Sequence, residues 1–278
     1  MKQEFAIDEL PVEDKIDHLH HTQAQFLKGF LDDETKHARQ TIMIDDVDNI
    51  EQALQAGITM QALYVSGLNT TLNQVFLDKW PDTAPIYEIA PRTCKKLFGK
   101  AKHSRIFAVA QLPECDDSSQ IWKKQADIAV LDRLTIAGNM GAVIRSALAF
   151  GIDNIIVLDT HPVDIFDRRV IRASRGLVFR VCITSLSTDE FIKQAQTNQW
   201  CIVATSSHAE KTIEQGLAET QPLAIVIGSE KEGCSQTLLD QAEHQVQIPM
   251  TKQVESLNVS VAASLMFYMR RYLLQQLL

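Results

Sequence analysis

The chain is 278 residues long, 45% hydrophobic and 6% aromatic, with a formal net charge of −8 at pH 7. That length suits one large domain or two modest ones, and the composition is ordinary for a globular α/β protein. Five scattered cysteines without a CxxC pair argue against a disulfide framework or a zinc site, and the absence of an apolar signal segment or of any apolar run near the ~20 residues that span a bilayer points to a soluble protein of a reducing cytoplasm.

Residues up to about Asp33 read as an amphipathic helix carrying His18, His20 and His21. No cysteine or carboxylate stands near them at convincing ligand spacing, so solvated histidines are expected there rather than a metal site. From Gln40 short elements alternate. Strands are predicted at Thr41–Ile44, Ala62–Val65, Pro85–Ile89 and Arg105–Gln111, with helices at Val47–Ala56, Leu72–Trp80 and Arg92–Phe98. This is a small α/β/α unit. It runs into Leu112-Pro113-Glu114-Cys115-Asp116-Asp117-Ser118-Ser119, which has linker composition. The expected organisation is a domain over 1–115, a linker over 116–125 and a second domain over 126–278.

The second part alternates again. Strands are predicted at 128–132, 154–158, 178–183, 200–204, 223–227 and 245–249, with helices between. Their runs are apolar on both faces, the mark of a covered parallel sheet. The last helix, from about Asn258 to Leu277, carries Val259, Val261, Leu265, Met266, Leu273 and Leu274. Such a broad apolar face should pack on the core or on a second subunit.

Two basic runs stand out against the acidic whole. Arg92, Lys95, Lys96, Lys100, Lys102 and Arg105 fall in a stretch with no acid; Arg168, Arg169, Arg172, Arg175 and Arg180 share theirs with one. Either run alone reads equally well as a solvated face. A polyanion, however, meets a patch rather than the average charge, and arginine offers phosphate a planar fork.

Near the C-terminus a short strand, Val246–Met250, passes through a charged loop into a helix opening on Ser256-Leu257-Asn258-Val259-Ser260. Ser256 or Asn258 can cap that helix, and its free N–H groups suit an anion or polar ligand. A capped helix at a domain edge explains the same residues. Two glycine-bearing turns imitate nucleotide loops. Gly138 and Gly141 give GxxG, not the dinucleotide GxGxxG, with Met140 where a pyrophosphate would approach. Gly228 to Ser235 resembles a P-loop, but Cys234 replaces the phosphate-binding lysine, and Glu230 and Glu232 would repel phosphate.

Three segments in order, Asn139-Met140-Gly141-Ala142-Val143-Ile144-Arg145 with Phe150-Gly151, then Gly228 to Ser235, then Ile248 to Ala263, resemble the signature motifs of the SpoU-type (SPOUT) RNA ribose 2′-O-methyltransferases. The resemblance runs from about Ala126 to the C-terminus, with Asn139, Arg145, Glu230, Ser256 and Asn258 at the matching catalytic positions. It implies an α/β fold with a mostly parallel sheet whose C-terminal portion threads a deep trefoil knot, a topology that general chain rules would not supply. It also implies an obligate homodimer and S-adenosylmethionine held in the knotted loops. Those loops would be Ala204, Thr205 and Ser206; Ile227, Gly228, Glu230 and Gly233; and Ile248, Met250, Ser256, Leu257 and Asn258. Ile227, Ile248 and Leu257 would form apolar walls around backbone groups that read the adenine.

Leu131-Asp132, Gly138 to Arg145, Asp167-Arg168-Arg169, Arg172 to Gly176 and Gln253 to Asn258 look more narrowly like the thiostrepton/nosiheptide-resistance branch. That branch methylates an adenosine ribose in the GTPase-centre stem-loop of large-subunit rRNA, conferring thiazole-peptide resistance. Its small N-terminal domain resembles a ribosomal RNA-binding protein. By this resemblance Lys95, Lys96, Lys100, Lys102 and Arg105 would contact RNA, and Arg168, Arg172 and Arg175 would lie near the target. RNA is then the expected partner, with no DNA, membrane or metal. Two alternatives stay open: a housekeeping enzyme acting on another rRNA or tRNA nucleotide, and a knotted RNA-binding module without chemistry.

Overall fold

Among the described residues, runs of aliphatic and β-branched residues pair into sheets of seven, five and two strands. The computed structural model describes residues 4–30, 40–67, 70–99, 103–115, 117–123, 125–229, 231–251, 253–254 and 256–276. These form two compact units, Met1–Pro113 with Phe166–Arg172, and Glu114–Ile165 with Ala173–Leu278.

The first unit contains β1 (Glu4–Ala6), β2 (Val12–Ile16), α1 (Thr22–Gly29), β3 (Thr41–Asp45), α2 (Val47–Gln55), β4 (Met60–Val65), β5 (Thr71–Asn73), α3 (Gln74–Leu77), β6 (Ile86–Ile89), α4 (Pro91–Phe98) and β7 (Ile106–Gln111). Its main sheet runs β2-β6-β4-β7-β3 and is mixed: β2, β6 and β4 are parallel, while β7 is antiparallel to both its neighbours. Tyr64, on β4, lies between Tyr87 and Phe107 in a stack of three rings, over a core that includes Ile16, Leu27 and Phe98.

The N-terminal segment corrects the expectation of one helix. β1 and β2 precede the short helix α1. β2 is an edge strand whose middle residues Glu13, Asp14 and Lys15 are all exposed, so it lacks the apolar alternation that reveals a strand in sequence. Charged residues on an edge strand also discourage pairing with another chain. His21 has a structural task. Its Nδ1 accepts from the Gln23 backbone N–H at 3.2 Å, capping α1, and its Nε2 lies 3.0 Å from Asp14. The helix expected at Leu72–Trp80 is shortened to α3 because Thr71–Asn73 pair with β1, and the Asn73 side chain then caps the helix by accepting from Phe76 N–H at 2.9 Å.

The second unit holds α5 (Ser118–Lys123), β8 (Ile128–Leu131), α6 (Ala137–Ala149), β9 (Asn154–Leu158), α7 (Pro162–Ile165), α8 (Arg168–Ser174), β10 (Cys182–Leu186), α9 (Thr188–Thr197), β11 (Cys201–Thr205), β12 (Lys211–Thr212), α10 (Ile213–Gly216), β13 (Leu223–Ile227), α11 (Gln236–Gln241), β14 (His244–Gln247) and α12 (Val259–Gln276), although α8 clusters with the first unit as far as Arg172. The sheet order is β10-β9-β8-β13-β11-β14-β12, and every pairing is parallel. β8, β9 and β13 are buried throughout, which is why they read as unbroken apolar runs.

Two local expectations shift. The strand expected at 178–183 is a 3-10 turn, Leu177–Arg180, entered through Gly176 in the left-handed region (φ 73°), and the strand follows at Cys182–Leu186. Within the stretch of linker composition, Ser118–Lys123 is helical because Ile121 and Trp122 are buried, Trp122 lying edge-on to Trp200.

Candidate active site

In a parallel sheet all the strands end on one edge, and ligands gather there where the strand order switches direction. Here the chain builds outward from β8 through β9 to β10, then returns to place β13 between β8 and β11. The residues expected to form the cofactor loops therefore follow three neighbouring strands. Thr205 ends β11 with Ser206 after it, Ile227 ends β13 with Gly228 after it, and Ile248 follows β14. Ser206 N–H donates to Val246 O at 2.9 Å, joining the first of these loops to the third strand.

The loop after β13 is closed on itself. Ser229 N–H donates to Gly233 O at 3.0 Å and Gly233 N–H returns the bond to Ser229 O at 3.1 Å. Gly228 is needed for this closure, since a Cβ there would stand 2.1 Å from both Cys234 N and the Gly233 carbonyl carbon. Gly233 adopts φ 70°. Below the loop, Cys234 Sγ lies 3.4 Å from Thr205 Oγ1, and burial pushes this thiol's pKa up, so it remains a neutral packing group. Glu230, expected here as a catalytic and cofactor residue, lies outside the described residues, as do Lys100 and Lys102 of the basic run.

The first and third motifs meet. Asn258 Nδ2 donates to Asn139 Oδ1 at 3.3 Å, across the packed pair α6 and α12. Asn258 Oδ1 accepts from Ser260 N–H at 2.9 Å, capping α12, so of the two candidate caps Asn258 serves. Ser146 and Ser264 are joined further along the same helix pair, 2.7 Å apart. Arg145 is exposed on α6, and Ser256 is exposed before α12; among the described residues no hydrogen bond joins either to the Asn139–Asn258 pair. Met250 is exposed, while Ile248 and Leu257 are half-buried.

In the first unit, α4 buries Thr93, Cys94, Leu97 and Phe98 and leaves Arg92, Lys95 and Lys96 on its outer face; Arg105 is also exposed. Arg168 and Arg172 are placed differently from a free basic patch. Both bind Asp45, which is fully buried at the end of β3. Arg168 grips it with two bonds of 2.9 and 2.8 Å, and Arg172 Nη2 adds a third. Sequence reasoning missed Asp45; an acid closing the apolar run Thr41-Ile-Met-Ile44 was the available signal. Arg175 is exposed with φ 54°. Among the described residues no three His, Cys, Asp or Glu side chains could together hold a metal ion, and no helix is long and apolar enough to cross a membrane.

The second unit thus combines an all-parallel sheet, a glycine loop closed on itself after β13 and a helix capped by Asn258. The SpoU rRNA Methylase family model matches residues 127–268, and the chain belongs to this family. Its first half, residues 13–124, matches the N-terminal domain of the thiostrepton-resistance methylases. The 23S rRNA (adenosine(1067)-2'-O)-methyltransferase of Streptomyces laurentii is 30% identical over 243 residues, covering 86% of this chain and 89% of the relative. Among solved structures, an RNA 2'-O ribose methyltransferase is 31% identical with a TM-score of 0.77, covering 95% of this chain and 100% of that one. The SpoU methyltransferase AviRb from Streptomyces viridochromogenes is 25% identical with a TM-score of 0.75, covering 89% and 95%.

Proposed function

We propose that the protein methylates the 2′-hydroxyl of an adenosine ribose in the GTPase-centre loop of 23S rRNA, using S-adenosylmethionine, and so confers thiazole-peptide antibiotic resistance in the cytoplasm. The observation that carries this reading is the double match: a SpoU catalytic half behind a thiostrepton-resistance N-terminal half. The relatives' activity is 2′-O-methylation of 23S rRNA.

The strand ends fit the cofactor. Ile248 and Leu257 are half-buried and give apolar surface, with the Thr205 and Ser206 hydroxyls and backbone groups assigned beside them, while Ala204 and Ile227 are buried beneath. This is the mix an adenosyl group needs, mostly apolar with a few placed polar atoms. When bound, the cofactor supplies a methyl group on a sulfonium. The chain must hold the ribose in line and help its hydroxyl lose a proton.

Arg145 is assigned to that hydroxyl, but not as a base. An arginine pKa above ~12 makes its deprotonation at neutral pH cost at least ~7 kcal/mol. Its planar fork instead clamps the phosphate beside the target ribose and stabilises the developing alkoxide. Asn139, fixed by Asn258, stands ready to orient ribose or arginine. Glu230 and Ser256 complete the assigned catalytic set.

For RNA recognition, Lys95, Lys96, Arg105 and Arg175 are assigned to phosphate contact, with Lys100 and Lys102. Arg168 and Arg172 remain in the assignment. Asp45 holds both guanidinium groups in place. The domain division is taken to fall in 116–125. A homodimer is supported by an apolar stripe on α12, and the knot by the insertion of β13 between β8 and β11.

The test is transfer of labelled methyl from S-adenosylmethionine to unmodified 23S rRNA, with the product nucleotide mapped. One 2′-O-methyl in the GTPase-centre loop is expected; a methyl elsewhere discards the substrate, and no transfer discards the enzyme. Arg145→Ala should lower kcat/KM about 10²–10³-fold. Near wild-type turnover by Arg145→Lys would sink the clamp.

A further inference from the structure

Asp132 and Arg133 follow β8 directly and take no part in the site as described so far. Asp132 is 1% exposed. Its backbone N–H donates to Ile227 O at 2.9 Å, and its Oδ2 accepts from Ser235 N–H at 2.6 Å. One buried carboxylate thus holds the chain immediately after the β13 loop, while its backbone holds the residue before it. Arg133 grips the loop from outside. Its Nη1 donates to Glu232 Oε2 at 2.7 Å, its Nη2 reaches Gly233 O at 3.4 Å, and its Nε bonds Asp132 Oδ1 at 3.2 Å. Gly233 O is the same carbonyl that closes the loop onto Ser229.

The backbone at Arg133 has φ 54°, the left-handed region that residues with a Cβ rarely adopt. Only a few per cent of non-glycine residues sit there, and Asn, Asp and His favour it more than Arg does. A glycine would serve the turn better, so the side chain rather than the turn accounts for the arginine. Its position, 39% exposed against 70% for Glu232, is open enough to exchange charges without emptying the core.

We propose that Arg133 is a positioning residue that latches the β13 loop, through Glu232 and the Gly233 carbonyl, in the shape that receives S-adenosylmethionine. The latch joins the end of β8 to the loop after β13. α6, which carries Asn139 and Arg145, begins only a few residues beyond Arg133, so one side chain ties the approach to the first motif to the second. The inference rests on the methyltransferase reading for its ligand, but the latch is measurable without it.

The full-length protein is compared with Arg133→Met, Arg133→Glu, Glu232→Arg and the double exchange Arg133→Glu/Glu232→Arg. Equilibrium dialysis of S-adenosylmethionine should show about a fivefold weaker Kd for Arg133→Met, the loss expected for one partly exposed ion pair that shapes a site. The single charge reversals should weaken it further, and the double exchange, which restores the ion pair but not the bond to the Gly233 carbonyl, should recover part of the loss. KM for the cofactor should follow Kd while RNA affinity stays level. Hydrogen exchange at the Ser229 and Gly233 amides should quicken in Arg133→Met and slow again in the double exchange. Unchanged exchange and unchanged Kd in Arg133→Met overturn the latch. So does a double exchange no better than its single parents, or a loss confined to RNA binding. If the wild-type protein binds no S-adenosylmethionine, the methyltransferase reading fails, and the exchange rates alone still decide whether Arg133 holds the loop.

Discussion

Cys201 opens β11 with its thiol buried, near the carboxylates of Glu243 and Glu219. Burial, aided by those negative neighbours, pushes its pKa from 9.0 up to about 11. Folding therefore favours the neutral thiol. Its stabilising contribution is complete below the pKa of the unfolded thiol and is lost as pH rises through the folded value, because the folded state then holds a proton that the unfolded state has released. The melting temperature should fall between about pH 9 and 11, and Cys201→Ala should flatten part of that fall. Melting curves of the two proteins across this window give the answer; identical slopes would show that the thiol is not held neutral. Burial shifts Tyr64 upward as well, so the comparison with the variant, rather than the bare slope, isolates Cys201.

At the scale of an element, α12 illustrates how one buried polar residue can fix a helix. Arg270 is 3% exposed and uses all five of its N–H donors. Nε and Nη2 take the two Asp127 oxygens at 2.7 and 2.9 Å, and the rest go to the carbonyls of Leu217, Glu219 and Gln221. Asp127 in turn accepts from Leu223 N–H at 2.8 Å, so the C-terminal helix, the approach to β8 and the start of β13 meet at one guanidinium. Removing one partner of such a pair strands the other charge in a dry site. Arg270→Ala should cost about 3–5 kcal/mol, read as a lower urea midpoint. Arg270→Lys should not restore it, since an ammonium has three donors and no fork. Full stability of the lysine variant would mean the carbonyls are solvated after all.

At the scale of the whole molecule, α12 has a second apolar surface. Val261, Leu265, Tyr268 and Tyr272 are 48%, 38%, 51% and 46% exposed, while Val259, Ala263, Met266 and Phe267 on the same helix are buried. The exposed four follow i, i+4, i+7, i+11, the spacing of a helix–helix seam. The proposed homodimer would cover this stripe. Leu265→Glu combined with Tyr268→Glu should then shift the protein from dimer to monomer in sedimentation, with loss of methyl transfer if the subunits share a site. A wild-type protein that sediments as a monomer would refute the dimer. A dimer that survives both substitutions would place its interface elsewhere.

The family was legible in the residues, because motif residues keep their spacing whatever surrounds them. Asn139, Arg145, Gly228 and Asn258 could be singled out as they stand, and the burial of β8, β9 and β13 is written in their unbroken apolar runs. What could not be read was decided by partners distant in sequence. β2 is a strand because β6 pairs with it, although its own residues are mostly charged. Ser118–Lys123 is a helix because Trp122 finds Trp200, despite the composition of a linker. Arg168 and Arg172 look like free positive charge until Asp45, more than a hundred residues earlier, is folded against them. Periodicity and motif spacing are local properties and survive in the sequence. Pairing, burial and the neutralisation of charge depend on which segments meet, and tertiary structure alone decided those.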